Sequence, residues 1–379
     1  MRLKSRSAAA SRIAVLGLGL IAAAEGFVAP AAAQAPAAKP ITWKLQSTWP
    51  QANLLQGSVA QISKSVDEMS GGRLKIEVSP AGQIVPAFEV LDATHKLVID
   101  AAHSWPGYWT GKNSAAGLFG VPPGGPFGLG RDEFLAWLFE GGGLDFYNEL
   151  LQKELKLNVM CLATTTVPYW EAFGWLRKPF ENLADLRRLK YRTSGLGLEM
   201  LRHMGINGVQ MPGGEVLPAL ERGTIDAAEW GIPSHDILMG FQNITKFYYM
   251  PDMRQPPAVH ELLINKSKWD ELSPDLKAIV RTAAMAEIQR FASYSIALDG
   301  KAADELEQKH GVKIMRTPDE VLKAQLEAAD KVLDAEAKKN PFFAKVLESQ
   351  RAFAKTAVPH AARMRPPLER AVEHYWAKK

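Results

Sequence analysis

The stretch Ala219-Leu220-Glu221-Arg222-Gly223-Thr224-Ile225-Asp226-Ala227-Ala228-Glu229-Trp230 begins as a short amphipathic helix and, after Gly223, enters a strand of small residues. An earlier stretch, Val90 to Ala102, has the same organisation and reaches its strand through the same sequence, Ile-Asp-Ala-Ala. A helix that leads through a turn into a buried strand is the repeating step of an α/β lobe. Its occurrence twice predicts two α/β lobes, and a cleft between two lobes is typical of a protein that holds a ligand.

Other elements along the chain fit the same class. Alternating apolar and polar residues predict strands at 41–47 and 74–78, and the helix predicted over 54–69 completes a βαβ unit. A long helix is predicted over 273–310, beginning at a serine that suits the N-cap position, and its length would let it contact both lobes. The segment 107–130 is rich in glycine, proline and aromatic residues, so little regular structure is expected there.

The N-terminus is typical of an export signal. Basic residues precede an apolar stretch, Ile13 to Ala24, that is too short to span a bilayer comfortably. The small residues Ala31-Ala32-Ala33 then suit a cleavage site. We therefore expect residues 1–33 to be a signal peptide and the mature protein to be exported.

Charge and cysteine content exclude several classes of function. The net charge of +4 falls to 4 − 4 + 1 = +1 without residues 1–33, which hold four basic residues and one acid. The mature chain thus has no excess of positive charge that would favour nucleic acid or a membrane surface. Its single cysteine, Cys161, cannot form an internal disulfide, and its apolar neighbours predict a buried strand.

Five segments have a sequence pattern that is familiar from one family. They are 43–50, 70–74, 81–89, 186–192 and 214–230, and they are spread over nearly the whole mature chain. Together they resemble the solute-binding proteins of TRAP transporters (tripartite ATP-independent periplasmic transporters) of the DctP type. Within that family, Pro168 to Arg177 and Glu229-Trp230 are most similar to the subgroup that binds 2-oxo or 2-hydroxy monocarboxylates with a metal ion.

The resemblance implies a two-lobed periplasmic binding protein of the α/β class, with mixed sheets, an interlobe cleft, a long bridging helix and additional C-terminal helices. We expect lobe I over 34–164 and 254–292, and lobe II over 165–253 and 293–340. The strand predicted at 259–265 would return the chain to lobe I. Residues 341–379 are expected to form a helical extension, for which pairing in a homodimer and packing on the chain's own lobe both stay open.

Arg192 ends the predicted strand Leu189 to Arg192, and a glycine-containing turn follows it. Ligands of α/β proteins bind at the carboxyl ends of strands, and a guanidinium group holds a carboxylate through two hydrogen bonds. From the spacing alone, a surface or interlobe salt bridge is the favoured interpretation. The family's ligand-holding arginine corresponds to Arg192, so the resemblance implies that this residue binds the carboxylate of the ligand.

The resemblance also implies a metal site at Glu229 and Trp230, through a carboxylate and a backbone carbonyl, with Na⁺ or Ca²⁺ bound beside the ligand. Hard cations prefer such oxygen ligands. Glu171 falls where the subgroup often has a neutral glutamine, and an acid there would favour a divalent ion or require a proton. An alternative stays open, in which Glu229 only forms an ion pair with Arg192.

Aromatic residues supply the other predicted contacts. The resemblance places an aromatic hydroxyl near the ligand in the region of Tyr108 and Trp109, and loop packing is an equal alternative for both residues. Trp230 is expected beside the ligand, and Thr166 and Tyr169 are alternatives to Glu171 as lining residues. Trp49 and Trp105 are expected to form walls of the cleft.

The resemblance and these residues predict a receptor and not an enzyme. It would capture a small 2-oxo or 2-hydroxy monocarboxylic acid and deliver it to the small and large membrane subunits of a TRAP transporter. The chain has no HExxH, CxxC, GxSxG or P-loop motif that would positively support catalysis. Two alternatives stay open: a binding protein for an ABC importer or a chemoreceptor, and an exported enzyme that acts on organic acids.

Overall fold

Two β-sheets form the centre of the fold. The structure, a computed structural model, describes residues 39–120 and 122–376, so the predicted signal peptide 1–33 lies outside the described residues. The strands of the described part are β1 (Ile41–Ser47), β2 (Leu74–Ser79), β3 (Ala101–Ser104), β4 (Val159–Thr166), β5 (Gly174–Leu176), β6 (Lys190–Arg192), β7 (Asn207–Val209), β8 (Ala227–Ala228), β9 (Phe247–Met250), β10 (Val259–Asn265) and β11 (Lys313–Arg316).

Helices cover the sheets and make up most of the C-terminal third of the chain. They are α1 (Leu54–Ser70), α2 (Val90–His95), α3 (Arg131–Glu140), α4 (Gly143–Glu149), α5 (Leu183–Leu186), α6 (Leu196–His203), α7 (Gly213–Arg222), α8 (Pro233–Met239), α9 (Lys266–Asp270), α10 (Pro274–Gln308), α11 (Asp319–Lys339), α12 (Pro341–Met364) and α13 (Leu368–Trp376). Among the described residues, no helix combines the length and apolar composition needed to cross a membrane.

The first sheet has the strand order β2-β1-β3-β10-β4. β1 pairs in parallel with β2 and β3, whereas β10 pairs antiparallel with β3 and β4. Leu74 and Ile76 of β2 are buried whereas Lys75 and Glu77 are exposed, so the alternation in sequence corresponds to one buried face. β10 lies between β3 and β4, so segment 259–265 belongs to the sheet of the first strands, and all of it is buried.

The second sheet has the strand order β11-β9-β5-β8-β6-β7 and is also mixed. It contains the helix-to-strand step that leads from α7 into β8, and the similar step from α2 into β3 belongs to the first sheet. Gly223 ends α7 with a φ of 72°, a left-handed conformation that costs glycine little. At the turn after α2, Leu97 takes a similar φ of 58° without that advantage. The predicted α/β class with two mixed sheets is confirmed.

The long helix α10 contacts elements of both sheets. Its 35 residues extend for about 50 Å, close to the predicted range. Val280 and Phe291 belong to the apolar core under the first sheet, and Leu306 belongs to the core under the second. Ser273 has the backbone conformation of an N-cap, but its hydroxyl bonds to Asp275 Oδ1 at 2.5 Å and not to a backbone N–H. The predicted bridging helix is confirmed.

The C-terminal residues divide into a packed helix and an exposed helix. Phe342, Phe343 and Val346 of α12 are buried, and α12 packs against α11, α3 and the 3₁₀ turns at Ser114–Leu118 and Pro126–Gly128. In α13 no residue is buried. The first part of the predicted extension therefore packs on its own chain.

We predict that Phe343→Ala lowers the free energy of unfolding by about 3–5 kcal/mol, because the fully buried ring would leave a cavity. Urea denaturation followed by circular dichroism measures the change. The control is Met285→Ala on the exposed face of α10, which should change the same quantity by less than about 0.5 kcal/mol. Equal effects of the two substitutions would contradict the role of α12 in the core.

Candidate functional site

A cavity lies between the two sheets and is lined from both. Its polar walls include Arg192, Arg254, Glu171, Glu229, His235 and His260. Its apolar walls include the aromatic rings of Trp49, Trp105, Tyr108 and Trp230. The free volume is about 40 Å³, roughly the room that three water molecules need, so the ligand that fits this conformation is small.

Arg192 reaches the cavity because it is the last residue of β6. Its side chain is 2% exposed, and its Nη1 lies 3.0 Å from Glu229 Oε1. The parallel pairing of β6 with β8 sets Arg192 opposite Ala228, which brings the next residue, Glu229, beside the guanidinium. The ion pair that the sequence left open as an alternative is therefore present in this structure.

Most of the hydrogen-bond donors of Arg192 have partners within the protein. Nη1 also donates to the backbone carbonyl of Glu229 at 3.2 Å, while Nε and Nη2 donate to Met211 O at 3.3 and 3.0 Å. A guanidinium has about five N–H donors in all. These contacts therefore leave about one Nη2 hydrogen to meet a ligand.

A second buried arginine, Arg254, lies in the link between β9 and β10. Its Nη2 is 3.3 Å from Glu171 Oε2 and 3.7 Å from Glu229 Oε2, and its Nε is 3.1 Å from Asp252 Oδ2. Burial and the charge of Glu229 raise the pKa of Glu171, and the charge of Arg254 opposes this shift. Arg254 is thus surrounded by three carboxyl groups.

Tyr108 lines the cavity from the turn that follows β3. Its ring packs against Phe88 and Trp105, with centroids 4.8 and 5.4 Å away. Burial raises the pKa of Tyr108 to about 12, although the neighbouring Arg192 acts in the opposite direction. The phenol therefore keeps its proton at neutral pH and can donate a hydrogen bond to an acidic ligand.

Three tryptophans predicted near the ligand do line the cavity. The Trp230 ring stacks beside the Arg192 guanidinium, 5.4 Å from the ring centroid. Trp105 is held by its neighbours, since its Nε1 donates to Gly120 O at 2.9 Å and a Cβ at Gly107 would lie 2.0 Å from its ring. Trp49 completes this wall. These rings exclude water and so strengthen polar contacts inside the cavity.

Trp109 is not brought to the cavity. Its Nε1 donates to Glu261 Oε1 at 2.6 Å, and Tyr147 donates to the other oxygen of the same carboxyl group at 2.5 Å. The alternative lining residues also lie elsewhere: the Thr166 hydroxyl donates to Ala258 O at 3.0 Å, and Tyr169 is half-exposed. Loop packing, the other interpretation of Trp109, describes its position.

Three residues at the cavity, His235, Arg254 and His260, are not among the predicted site residues. Burial lowers the pKa of His260 to about 4 and of His235 to about 3, so both rings are neutral at pH 7. Nδ1 of His260 lies 3.1 Å from Thr165 O, which makes this nitrogen the donor. His235 lies on α8, which was not predicted, and Arg254 lies in a link without periodic pattern. The charged residues Asp252 and Arg254, shortly before the predicted strand at 259–265, were the available signal.

The residues predicted to bind a cation offer oxygen ligands, but their side chains surround Arg254. Glu171, Glu229 and the carbonyl of Trp230 offer the oxygen atoms that Na⁺ and Ca²⁺ prefer. In this structure Glu229 Oε1 is bonded to Arg192, and the facing oxygens of Glu171 and Glu229 both lie against Arg254 Nη2. The arrangement therefore does not fit a metal ion that uses both carboxylates.

Comparison with known proteins shows the family of the chain. Residues 45–340 match the family of bacterial extracellular solute-binding proteins, family 7, or DctP. The chain is 30% identical to a monocarboxylate 2-oxoacid-binding periplasmic protein from Nostoc sp., over 83% of this chain and 84% of that relative.

Solved structures of TRAP solute-binding proteins have the same fold. One from Bordetella bronchiseptica has a TM-score of 0.81 at 29% identity, covers 89% of this chain and 97% of its own, and contains calcium and picolinate. One from Colwellia psychrerythraea, with calcium and pyruvate, has a TM-score of 0.77 at 30% identity over 86% of this chain and 96% of its own. One from Pseudoalteromonas atlantica, with sodium and pyruvate, has a TM-score of 0.79 at 29% identity, over 89% of this chain and all of its own.

Two mixed sheets with a small cleft between them and a long bridging helix are the architecture that this chain shares with solved TRAP solute-binding proteins. The matched region covers most of the chain. The chain belongs to the DctP family of TRAP-type solute-binding proteins. Proteins of this family are receptors and not enzymes, so the predicted family and the predicted non-catalytic role are confirmed.

We predict that Glu261 makes the stability of the protein depend on pH. Burial raises the pKa of Glu261 from 4.5 to about 7. Because the pKa of Glu261 is higher in the folded state, the protonated carboxyl group favours folding. This stabilisation is complete below the unfolded-state pKa and is lost as the pH rises through about 7. The loss amounts to about 3 kcal/mol, and Glu261→Gln should remove it.

Urea denaturation at about pH 4.5 and pH 8 measures this effect as a difference in the free energy of unfolding. Glu77→Gln, at an exposed position of β2, is the control and should keep the pH dependence of the unsubstituted protein. An unchanged pH dependence in Glu261→Gln would disprove the assignment.

Proposed function

We propose that this protein binds a small 2-oxo or 2-hydroxy monocarboxylic acid in the cleft and presents it to the membrane subunits of a TRAP-type transporter. The observation that carries this proposal is the buried guanidinium of Arg192 at a small cavity with aromatic walls. The fork of a guanidinium matches a carboxylate group. The 2-oxoacid-binding relative from Nostoc and the two relatives that contain pyruvate support this ligand class.

In the proposed complex, the ligand carboxylate takes the Nη2 hydrogen of Arg192 that is not bonded to Met211. Tyr108 donates a second hydrogen bond, because its phenol stays protonated at neutral pH. The Ser194 hydroxyl, two residues after Arg192, has no hydrogen-bond partner in the described part of the chain and is a further donor. A second bond from Arg192 requires it to exchange its contact with Glu229 or Met211 for the ligand.

Ligand binding would favour the closed arrangement of two lobes. The predicted lobe boundaries, 34–164 with 254–292 and 165–253 with 293–340, form part of this proposal. Arg192 belongs to the second sheet, whereas Tyr108 and His260 belong to the segments around the first. A ligand that contacts both sides stabilises the closed state, which the small and large membrane subunits would then recognise. Export to the periplasm through residues 1–33 is part of the same proposal.

A cation is not part of the proposed binding step. The Bordetella and Colwellia relatives contain calcium and the Pseudoalteromonas relative contains sodium. For this chain, Na⁺ or Ca²⁺ at Glu229, Trp230 and Glu171 stays a prediction from the sequence. Arg254 forms ion pairs with both carboxylates, so the proposed binding step does not depend on a cation.

We predict that Arg192→Met weakens binding of the acid by more than about tenfold, because the ligand carboxylate would lose its charged partner in a buried site. A thermal-shift screen of 2-oxo acids, 2-hydroxy acids, dicarboxylates, sugar acids and amino acids first identifies the ligand. Isothermal titration calorimetry then measures its Kd for both proteins.

Arg188→Met is the matched control, because Arg188 is an exposed arginine at the start of the same segment. Its Kd should equal that of the unsubstituted protein. Tight binding by a folded Arg192→Met protein would disprove the role of Arg192. Stabilisation by sugar acids or amino acids alone would disprove the ligand class.

We also propose that α13 pairs with a second copy of this chain. Leu368, Val372 and Tyr375 follow helical spacing on one face, and all are at least 59% exposed. A contiguous apolar face of this kind is rarely left in water. The Bordetella relative is described as a dimer, which supports an oligomeric assembly.

Val372→Glu should convert a dimer to a monomer, because a charge would enter the centre of the apolar face. Sedimentation velocity at several concentrations measures the mass. Glu373→Gln is the control on the next residue and should leave the mass unchanged. A monomer at every concentration of the unsubstituted protein would contradict the proposed pairing.

A further inference from the structure

We infer that Arg254 is the built-in cation of the cleft, and that it replaces a metal ion in the binding of the acid. This inference rests on the proposed function, because it concerns the same site. Arg254 holds Glu171 and Glu229 together through its positive charge, and binding of the ligand is then independent of Na⁺ and Ca²⁺.

The first argument is the position of the guanidinium. Arg254 Nη2 lies 3.3 Å from Glu171 Oε2 and 3.7 Å from Glu229 Oε2, so one nitrogen faces both carboxylates. A Ca²⁺ ion bound by the same oxygens would need them at about 2.3–2.6 Å. The guanidinium and the ion therefore compete for one position.

The second argument is the cost of moving Arg254 away. Its side chain is only 2% exposed, and its positive charge is permanent. Displacement would leave a buried charge without its partners, or would hold it beside a metal ion of the same sign. Both alternatives are unfavourable, which gives Arg254 the advantage over a dissolved cation.

The third argument is that other elements hold Arg254 in place. Its Nε lies 3.1 Å from Asp252 Oδ2, a contact between opposite charges without hydrogen-bond geometry, and the other oxygen of Asp252 accepts a hydrogen bond from Gln325 of α11. Gln325 Oε1 accepts from Met253 N at 3.0 Å, which fixes the backbone beside the arginine. Gly197 leaves room for the side chain, since a Cβ there would lie 3.2 Å from Arg254 Cγ and Cδ.

The charge of Glu171 supports the same conclusion. Glu171 is a second acid at the cleft, beside Glu229. Arg254 contacts that acid directly and supplies the opposite charge. The additional acid therefore has an internal partner and does not create a demand for a divalent ion.

The test compares metal binding in the unsubstituted protein and in Arg254→Gln. Titration calorimetry with CaCl₂ alone should show no saturable binding to the unsubstituted protein and should show binding to Arg254→Gln. Elemental analysis of the purified proteins measures the metal content independently. Arg316→Gln, at an exposed arginine of β11, is the control and should behave as the unsubstituted protein does.

The ligand experiment uses pyruvate and lactate after treatment with EDTA. For the unsubstituted protein, the Kd should change less than twofold on chelation, whereas Arg254→Gln should lose at least about tenfold in affinity. Arg254→Lys keeps a positive charge and should stay insensitive to EDTA. If Arg254→Gln does not fold, the unsubstituted protein and Arg254→Lys still decide the question.

Stoichiometric metal in the unsubstituted protein, or loss of its ligand affinity on chelation, would overturn the role of Arg254. Failure of every acid to bind, with or without added cations, would instead reject the proposed function. The CaCl₂ titration needs no acid, so it tests Arg254 in that case too.

Discussion

The pairing of buried charges at the cleft is the constraint on which the rest of the structure depends. Arg192 and Arg254 are 2% exposed, and Glu229 is nearly as buried. Charges in a protein interior are costly unless they are paired and hydrogen-bonded. These side chains come from β6, the end of β8 and the link after β9. The register of β6 with β8 and the path of that link must both be correct before the charges can meet.

The two sides of the cleft contribute different kinds of side chain. The second sheet and the segments that join the sheets contribute the ionised groups, which in the proposed complex select an anion and set its orientation. The first sheet contributes neutral groups: the rings of Trp49, Trp105 and Tyr108, and the neutral imidazole of His260. A ligand held by charge from one side and covered by rings from the other is removed from water, which strengthens each polar contact.

Strand ends were predictable, whereas connections between sheets were not. Arg192 and Glu229 each end a predicted strand, and parallel strands bring such residues to a common edge. Arg254 lies in a link without periodicity, so nothing local indicates that it is buried or what it contacts. Tyr108 and Trp109 are adjacent, yet only Tyr108 reaches the cavity, because successive residues of a tight turn point in different directions.

The sequence by itself determined the α/β class, the long helix α10, the return of β10 to the first sheet and the position of Arg192 at a strand end. Each of these depends on local periodicity, turn residues or resemblance along the chain. Only the tertiary structure decided which charges pair. It also decided that Trp109 donates its hydrogen bond to Glu261 and does not line the cleft, and that α12 is packed while α13 is exposed. Those outcomes depend on contacts between residues far apart in sequence, and short-range patterns carry no information about them.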